Sequence, residues 1–447
     1  MTLRNLVALT LWLTPCAVAA QAAAPAGPAA VLAEFDRMAA RDLWPGFAPR
    51  ETPLAFWDGT RTLLVRHPAP PGAGWASIGI PGVVARDGRL PQLTANSSDT
   101  IGGVMTGTVM PAPPGRSATS QAALAMHELF HVFQRTHHTR WSANEADAFT
   151  YPATDEGLLA ARRREYALLR KALLTRDRGD AACHAAVALS ERAQRFARMK
   201  PEHAAYERLS EMNEGLATYV QWRAAGARDE VAVPDSLPMP DAVRAHAYHA
   251  GPAWGRLLDR FAPTWRASLE REDTLSLDAL LRRAVGAVET ERWQCGLTNA
   301  ERTAIDEGAT RDVAQLAATL RRAREGFERA PGRRLEVDGA ASTLFPMGFD
   351  PLNLLQTAPG EILHRRYIKL GNARGAVEVL DRESMSAAAG AHPLFNGVRR
   401  MVITGLGPEF SARAAGDTVV LEGRGVSGRF APARLTVAGD TVRVVLP

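Results

Sequence analysis

His127 and His131 stand four residues apart, and Glu128 directly follows the first of them. They sit in residues 120–134, a run of alanine, leucine, methionine and glutamine that no proline or glycine interrupts. Such residues favour a helix, with Thr119 or Ser120 placed to cap its start. On a helix, side chains four apart lie one turn above each other, so both imidazoles face the same way and can share one metal ion. Glu128 falls on an adjoining part of that surface, where a carboxylate can take a proton from a metal-activated water without ligating the ion. Leu129, Phe130, Val132 and Phe133 are apolar, which predicts a buried helix. Three ionisable groups on a buried helix need a compensating partner such as a metal.

The surrounding pattern predicts how those residues are held. Strand-like runs with turn signals occupy residues 60–66, 75–80 and 103–110, just ahead of the histidine helix. Helical periodicity covers 31–41 and then dominates 117–330, with runs at 155–174, 181–199, 202–227, 253–261, 276–285 and 299–329. After Pro331 short alternating strands return at turn-rich intervals to the end, as in a β-sandwich or barrel-like domain.

At 447 residues the chain is long enough for two or three domains, and 46% hydrophobic with 23% charged residues is ordinary for a globular protein. The net charge is only +5 and the lysines are three (Lys171, Lys200, Lys369), so the basic charge is nearly all arginine. Clusters at 162–164 and 321–324 fall in helical patterns that also carry glutamates, which reads as solvated faces and not as a nucleic-acid footprint.

Residues 1–20 read as a secretory signal peptide: Arg4, then a short apolar core at 6–13, then small residues 17–20. Residues 21–30 read as a linker, and no later apolar run has the length of a membrane span. Export leaves Cys183 and Cys295, which in an oxidising compartment either pair or remain buried thiols.

Two histidines are an incomplete site, because a catalytic zinc needs three protein ligands and an open position. The downstream helical carboxylates offer Glu214 as the first choice, Glu156 as its rival, and Glu207 and Glu211 on the same helix as Glu214. Around Glu214 the string Asn213-Glu214-Gly215-Leu216-Ala217 resembles the NE-(G/A)-x-(A/S) segment of the gluzincin metallopeptidases, and residues 127–131 match their HExxH motif. The likeness, to the thermolysin-like and NEGFA-bearing aminopeptidase groups, covers five residues at each place and not the whole chain. The stretch from His131 to Glu214 is longer than in those groups and leaves room for two further helices; Thr218 stands where thermolysin-like enzymes carry an aspartate.

The resemblance implies that His127, His131 and Glu214 ligate one Zn2+ per chain, with Glu128 as general base and Asn213 close by. Together with the strand and helix patterns above, it gives an expected α+β fold: a mainly helical zincin-like catalytic domain, a small N-terminal β region and a C-terminal β-sandwich-like domain. The divisions are signal peptide 1–20, linker 21–30, β-rich region 31–115, helical zinc peptidase domain 116–330 and C-terminal β domain 331–447. Residues 96–103 become the candidate sheet edge for an extended peptide, the plainer reading being an ordinary hairpin.

Amide hydrolysis creates an oxyanion that a tyrosine or histidine can stabilise. Residues 246–252, read as a loop before a helix, supply Tyr248 as the choice and His249 as the reserve, with Tyr219 third; His137 and His138 read as surface residues. Glu207 or Glu211 would suit a substrate ammonium if the activity were that of an aminopeptidase. The expected function is an exported zinc metallopeptidase acting on peptides or proteins, with no nucleic-acid partner and no stable membrane insertion. Two alternatives stand beside it: an inactive zincin-fold envelope binding protein, and a zinc hydrolase of a non-peptide amide or ester.

Overall fold

The computed structural model describes residues 27–111, 115–226, 240–286, 295–350 and 353–447. It divides into two compact units, one running to Phe133 and including Gln221–Gly226, the other comprising the rest of the chain. The expected signal peptide and residues 21–26 of the expected linker lie outside the described residues. Residues 28–30 are not linker but the first turn of helix α1 (Pro28–Ala39), where proline at the helix start has no N–H to leave unpaired.

The first unit holds strands β1 (Leu54–Trp57), β2 (Arg61–Val65), β3 (Ala76–Ser77), β4 (Val83–Asp87), β5 (Ser97–Ile101) and β6 (Val104–Val109). They form one sheet in the order β3-β4-β2-β1-β6-β5. The strand expected at 75–80 shrinks to two residues, because Gly79 and Gly82 adopt positive φ and turn the chain into β4. β5 falls within 96–103 and is both things weighed for that stretch, the sheet's edge and one arm of a hairpin with β6.

Helix α2 (Ala118–His137) carries the histidines. Its cap is Ser117, two to three residues before those expected: the Ser120 N–H donates to Ser117 Oγ at 3.1 Å. Thr119 turns its hydroxyl to Glu34 instead. Ala122, Ala125, Met126, Leu129 and Phe130 are fully buried, and Phe130 meets Trp44 and Phe47 edge-on at 5.3 Å each. β6 crosses this helix at Gly107, where a Cβ would lie 2.8 Å from a Leu129 methyl and 3.6 Å from the Glu128 carbonyl carbon. A larger residue there would have to displace the Leu129 and Leu54 side chains.

The second unit opens with a 3-10 segment, Glu145–Thr150, followed by α3 (Glu156–Leu174), α4 (Arg178–Ala197) and α5 (Pro201–Ser210). A π turn (Glu211–Gly215) leads without a break into α6 (Leu216–Ala225). Then come α7 (Val243–Phe261), α8 (Trp265–Arg271), α9 (Leu277–Val285) and α10 (Asn299–Glu328). Sequence-coded caps start three of these: Asp155 for α3, Asp177 for α4, and a Thr298/Glu301 capping box for α10.

The segment 246–252 is not a loop. It lies inside α7, and Pro252 is accommodated within the helix although it removes one hydrogen bond. The compensation is packing: Gly251 meets Gly215 so closely that a Cβ on Gly251 would sit 2.1 Å from the Gly215 Cα.

Three buried arginines tie the helices together. Arg192 of α4 binds Glu165 of α3 at 2.8 Å, Glu211 of the π turn at 2.6 Å and Asp278 of α9 at 3.3 Å. Arg195 joins Glu165 and Glu207 at 2.7 and 2.6 Å, and Arg162 reaches Glu207 at 2.8 Å. Arg162, expected on a solvated face, is therefore a core residue. Breaking one partner out of such a network leaves an uncompensated buried charge, at a cost of about 3–5 kcal/mol. Cys183 of α4 and Cys295 pair as a disulfide, with Cα atoms 5.8 Å apart.

Between Arg333 and Val445 thirteen strands form sheets of seven and six among the described residues. The first strand, Arg333–Asp338, lies parallel to the last, Thr441–Val445. Leu335 and Val337 of the larger sheet share one core with Ile368, Val377 and Leu421 of the smaller. The chain is thus α+β with a sheet-rich C-terminal region, and none of its described helices is long and apolar enough to cross a membrane.

Candidate metal centre

His127, His131 and Glu214 come together: one ligand atom from each lies within 4.8 Å of the others. The two imidazole Nε2 atoms are 3.0 Å apart. A tetrahedral zinc with bonds of about 2.0–2.1 Å to nitrogen holds two such atoms roughly 3.3 Å apart, so the pair needs almost no adjustment. His127 and Glu214 are buried and His131 is half-buried. Two nitrogens and a carboxylate oxygen suit zinc, and three ligands leave the fourth tetrahedral position open. Glu128, next to His127, is also buried.

The rival ligand is elsewhere. Glu156 begins α3 at the surface, and its carboxylate accepts the Thr310 hydroxyl at 2.9 Å.

Glu214 lies in the π turn, whose wider winding takes main-chain carbonyls out of the usual helical register. The Gln134 side-chain amide donates to two of them, Met212 O at 2.9 Å and Asn213 O at 3.0 Å. Gln134 is one turn beyond His131 on α2, so it ties the histidine helix to the backbone that presents Glu214. Sequence reasoning passed over Gln134, although its spacing of three from His131 and seven from His127 places all three on one face.

Helix α7 supplies the other wall. Arg244 forms an ion pair with Glu214 and a longer one, at 3.5 Å, with Glu145. Ala247 and Gly251 of the same helix meet Gly215, so the stripe 244, 247, 248, 251 faces the π turn. Tyr248, half-buried, is on that stripe, and its phenol is near enough to act on the Arg244 charge. Arg244 carries no motif and was not anticipated; only the i, i+4 relation to Tyr248 hints at it.

The remaining expected residues are engaged elsewhere or placed differently. Tyr219 donates its hydroxyl to Asp259 at 2.7 Å, receives Arg266 at 2.6 Å, and packs on Trp265. Glu207 and Glu211, suggested for a substrate ammonium, are held by Arg195 and Arg162 and by Arg192 respectively, so neither presents a carboxylate to a ligand. Against burial, those arginines hold Glu207 well below the usual carboxylate range. His138 is buried, not a surface residue: it stacks on Trp141 at 3.8 Å and meets Glu270 at 3.1 Å. His137 is exposed beside Thr136, and His249 is half-buried next to His246.

Comparison of the chain with protein-family models, with curated proteins and with solved structures finds no match.

Proposed function

We propose that the chain is an exported, gluzincin-like zinc metallopeptidase. The observation that carries this reading is the convergence of His127, His131 and Glu214 within 4.8 Å, with Glu128 beside the first histidine. Held by those three residues, a zinc ion would act as a Lewis acid and make a water acidic enough to attack a carbonyl at neutral pH. Glu128 takes the proton from the attacking water and hands it to the departing amine nitrogen, which cannot leave as an anion. Tyr248, presented by α7 alongside Arg244, donates its phenolic hydrogen to the oxygen on which negative charge develops. Gln134 ties α2 to the π turn that carries Glu214, and the Gly215–Gly251 contact ties that turn to α7. Export is supported by the composition of residues 1–20 and by the Cys183–Cys295 disulfide, which persists in oxidising compartments.

Elemental analysis of purified protein tests the site, and a peptide-library digest tests the chemistry. One zinc per chain is expected in the wild type and in Glu156→Ala, but not in Glu214→Ala. Cleavage is expected to fall at least about 100-fold in Glu128→Gln with zinc retained. A wild type that takes up no zinc, or cleavage that Glu128→Gln leaves intact, refutes the assignment.

A further inference from the structure

A second site lies entirely within the larger unit. A cleft of about 640 Å³ opens between residues 148–154, helix α10 and the strand Leu354–Ala358. That volume lies inside the range of about 300–1,000 Å³ typical of ligand sites.

The strand is the outermost of the seven-stranded sheet. It runs antiparallel to Glu361–His364, with Leu355 opposite Leu363 and Gln356 opposite Ile362. One residue earlier, the Arg365 N–H donates to Asn353 O at 2.9 Å. Hydrogen-bonded pairs alternate in an antiparallel ladder, so Leu354 and Gln356 point their N–H and C=O groups away from the sheet. Among the described residues no strand pairs with that side, and no main-chain group bonds to those of Leu354 or Gln356. Unpaired strand edges are where other chains add themselves.

The walls specify what is added. Phe149, Leu316 and Leu320 make them apolar, while Asp241 and Arg321, both exposed, form no ion pair among the described residues. Apolar walls around unpaired main-chain donors and acceptors match a peptide in extended form, whose backbone completes the ladder while alternate side chains enter the cleft. Opposite charges in the same cleft match a segment with a basic and an acidic residue. We propose that this cleft binds an extended, largely apolar peptide segment by strand addition to Leu354–Ala358. The proposal does not depend on hydrolysis at the metal centre.

The test is fluorescence anisotropy with two labelled heptapeptides, Lys-Val-Thr-Val-Thr-Val-Glu and Glu-Val-Thr-Val-Thr-Val-Lys, on full-length Glu128→Gln protein so that no cleavage intervenes. At least one order of charges is expected to bind. The same peptide N-methylated at alternate residues is expected to bind about tenfold or more weakly, because it cannot complete the ladder. Gln356→Pro, which deletes an outward N–H on an edge strand, and Ala317→Trp, which fills the cleft, are expected to weaken binding similarly. Failure of both peptides to bind overturns the proposal. So does binding that survives N-methylation, a control that needs no variant of the chain, or binding that survives Ala317→Trp in a variant with an unchanged circular dichroism spectrum.

Discussion

Arg244 grips the carboxylate of Glu214 from a separate helix, and the residue one turn further along that helix is Tyr248. A guanidinium in this place does two things. It fixes which way the Glu214 carboxylate points, and it places a positive charge near the Tyr248 phenol, which under the proposed function would meet the oxyanion.

Replacing Arg244 by methionine keeps the bulk and removes both effects. Changing an outer partner of a metal ligand typically costs 10–100-fold in metal affinity or activity. We expect Arg244→Met to keep zinc at saturating metal and to lose kcat/KM by about that range, with kcat falling more than KM rises. Arg244→Lys should recover part of the loss, since a lysine restores the charge but cannot reach Glu214 and Glu145 with separate nitrogens as the guanidinium does. Steady-state kinetics with zinc content measured on the same samples decides it; equal activity in all three proteins would remove Arg244 from the site.

The Gly215–Gly251 contact makes a separate prediction. Alanine in place of Gly251 gains up to about 1 kcal/mol of helix propensity. Its Cβ, however, would sit 2.1 Å from one backbone atom and 2.7 Å from another, and backbone cannot rotate away. Overpacking of this kind costs roughly 1–3 kcal/mol, so the clash wins. Urea denaturation of Gly251→Ala should show the loss, and because the π turn must shift to relieve it, zinc affinity should fall as well. Unchanged stability would mean that the two helices separate freely.

What was legible in the sequence was local. The spacing of His127 and His131 on a helix needs only the helical repeat, whereas the cap of that helix, expected at Thr119 or Ser120, is Ser117. Glu214 was found through the string around it, but not the π winding that presents it, because an extra residue in a turn leaves no mark in composition. Arg244 and Gln134 stayed hidden because their partners lie far along the chain. The helix through Pro252 was misread as a loop because proline usually ends a helix, and only the contact at Gly215 explains the exception. Arg162 looked like surface charge because nothing local reveals that it meets Glu207, which Arg195 also holds, in the core.

The Cys183–Cys295 bridge closes a loop with a sequence separation of 112. In the chain-entropy account a loop of that order restricts the unfolded state by about 4–5 kcal/mol. Cys183→Ser/Cys295→Ser, which also removes any stray thiol chemistry, should lower the unfolding free energy by several kcal/mol without moving the metal ligands. Chemical denaturation, with zinc content as the control, checks both halves. A loss below about 1 kcal/mol would show that the reduced unfolded chain is already compact.

A pH dependence of stability should be traceable to His364. Its ring is fully buried on the strand Glu361–His364, with Nε2 2.8 Å from the Ser386 hydroxyl. Burial pushes it down from 6.5 to about 3. The folded protein therefore keeps it neutral over a range in which the unfolded chain takes up a proton. The stability that this residue contributes is fully present above pH about 6.5 and is lost as the pH falls from there toward 3. One proton bound only on unfolding gives a slope of up to about 1.4 kcal/mol per pH unit. His246, buried and likewise held well below its ordinary value, adds to the same trend, while Glu211, pushed up to about 7 by burial against the pull of Arg192, opposes it. The wild-type curve alone is thus a sum of opposing slopes, and the informative quantity is a difference. His364→Asn leaves a polar group for Ser386 but nothing to titrate, so the gap in unfolding free energy between wild type and variant should shrink as the pH drops from 6.5 to 4. Urea titrations at half-unit intervals would read it, and a gap that stays constant would place a proton on His364 in the folded state.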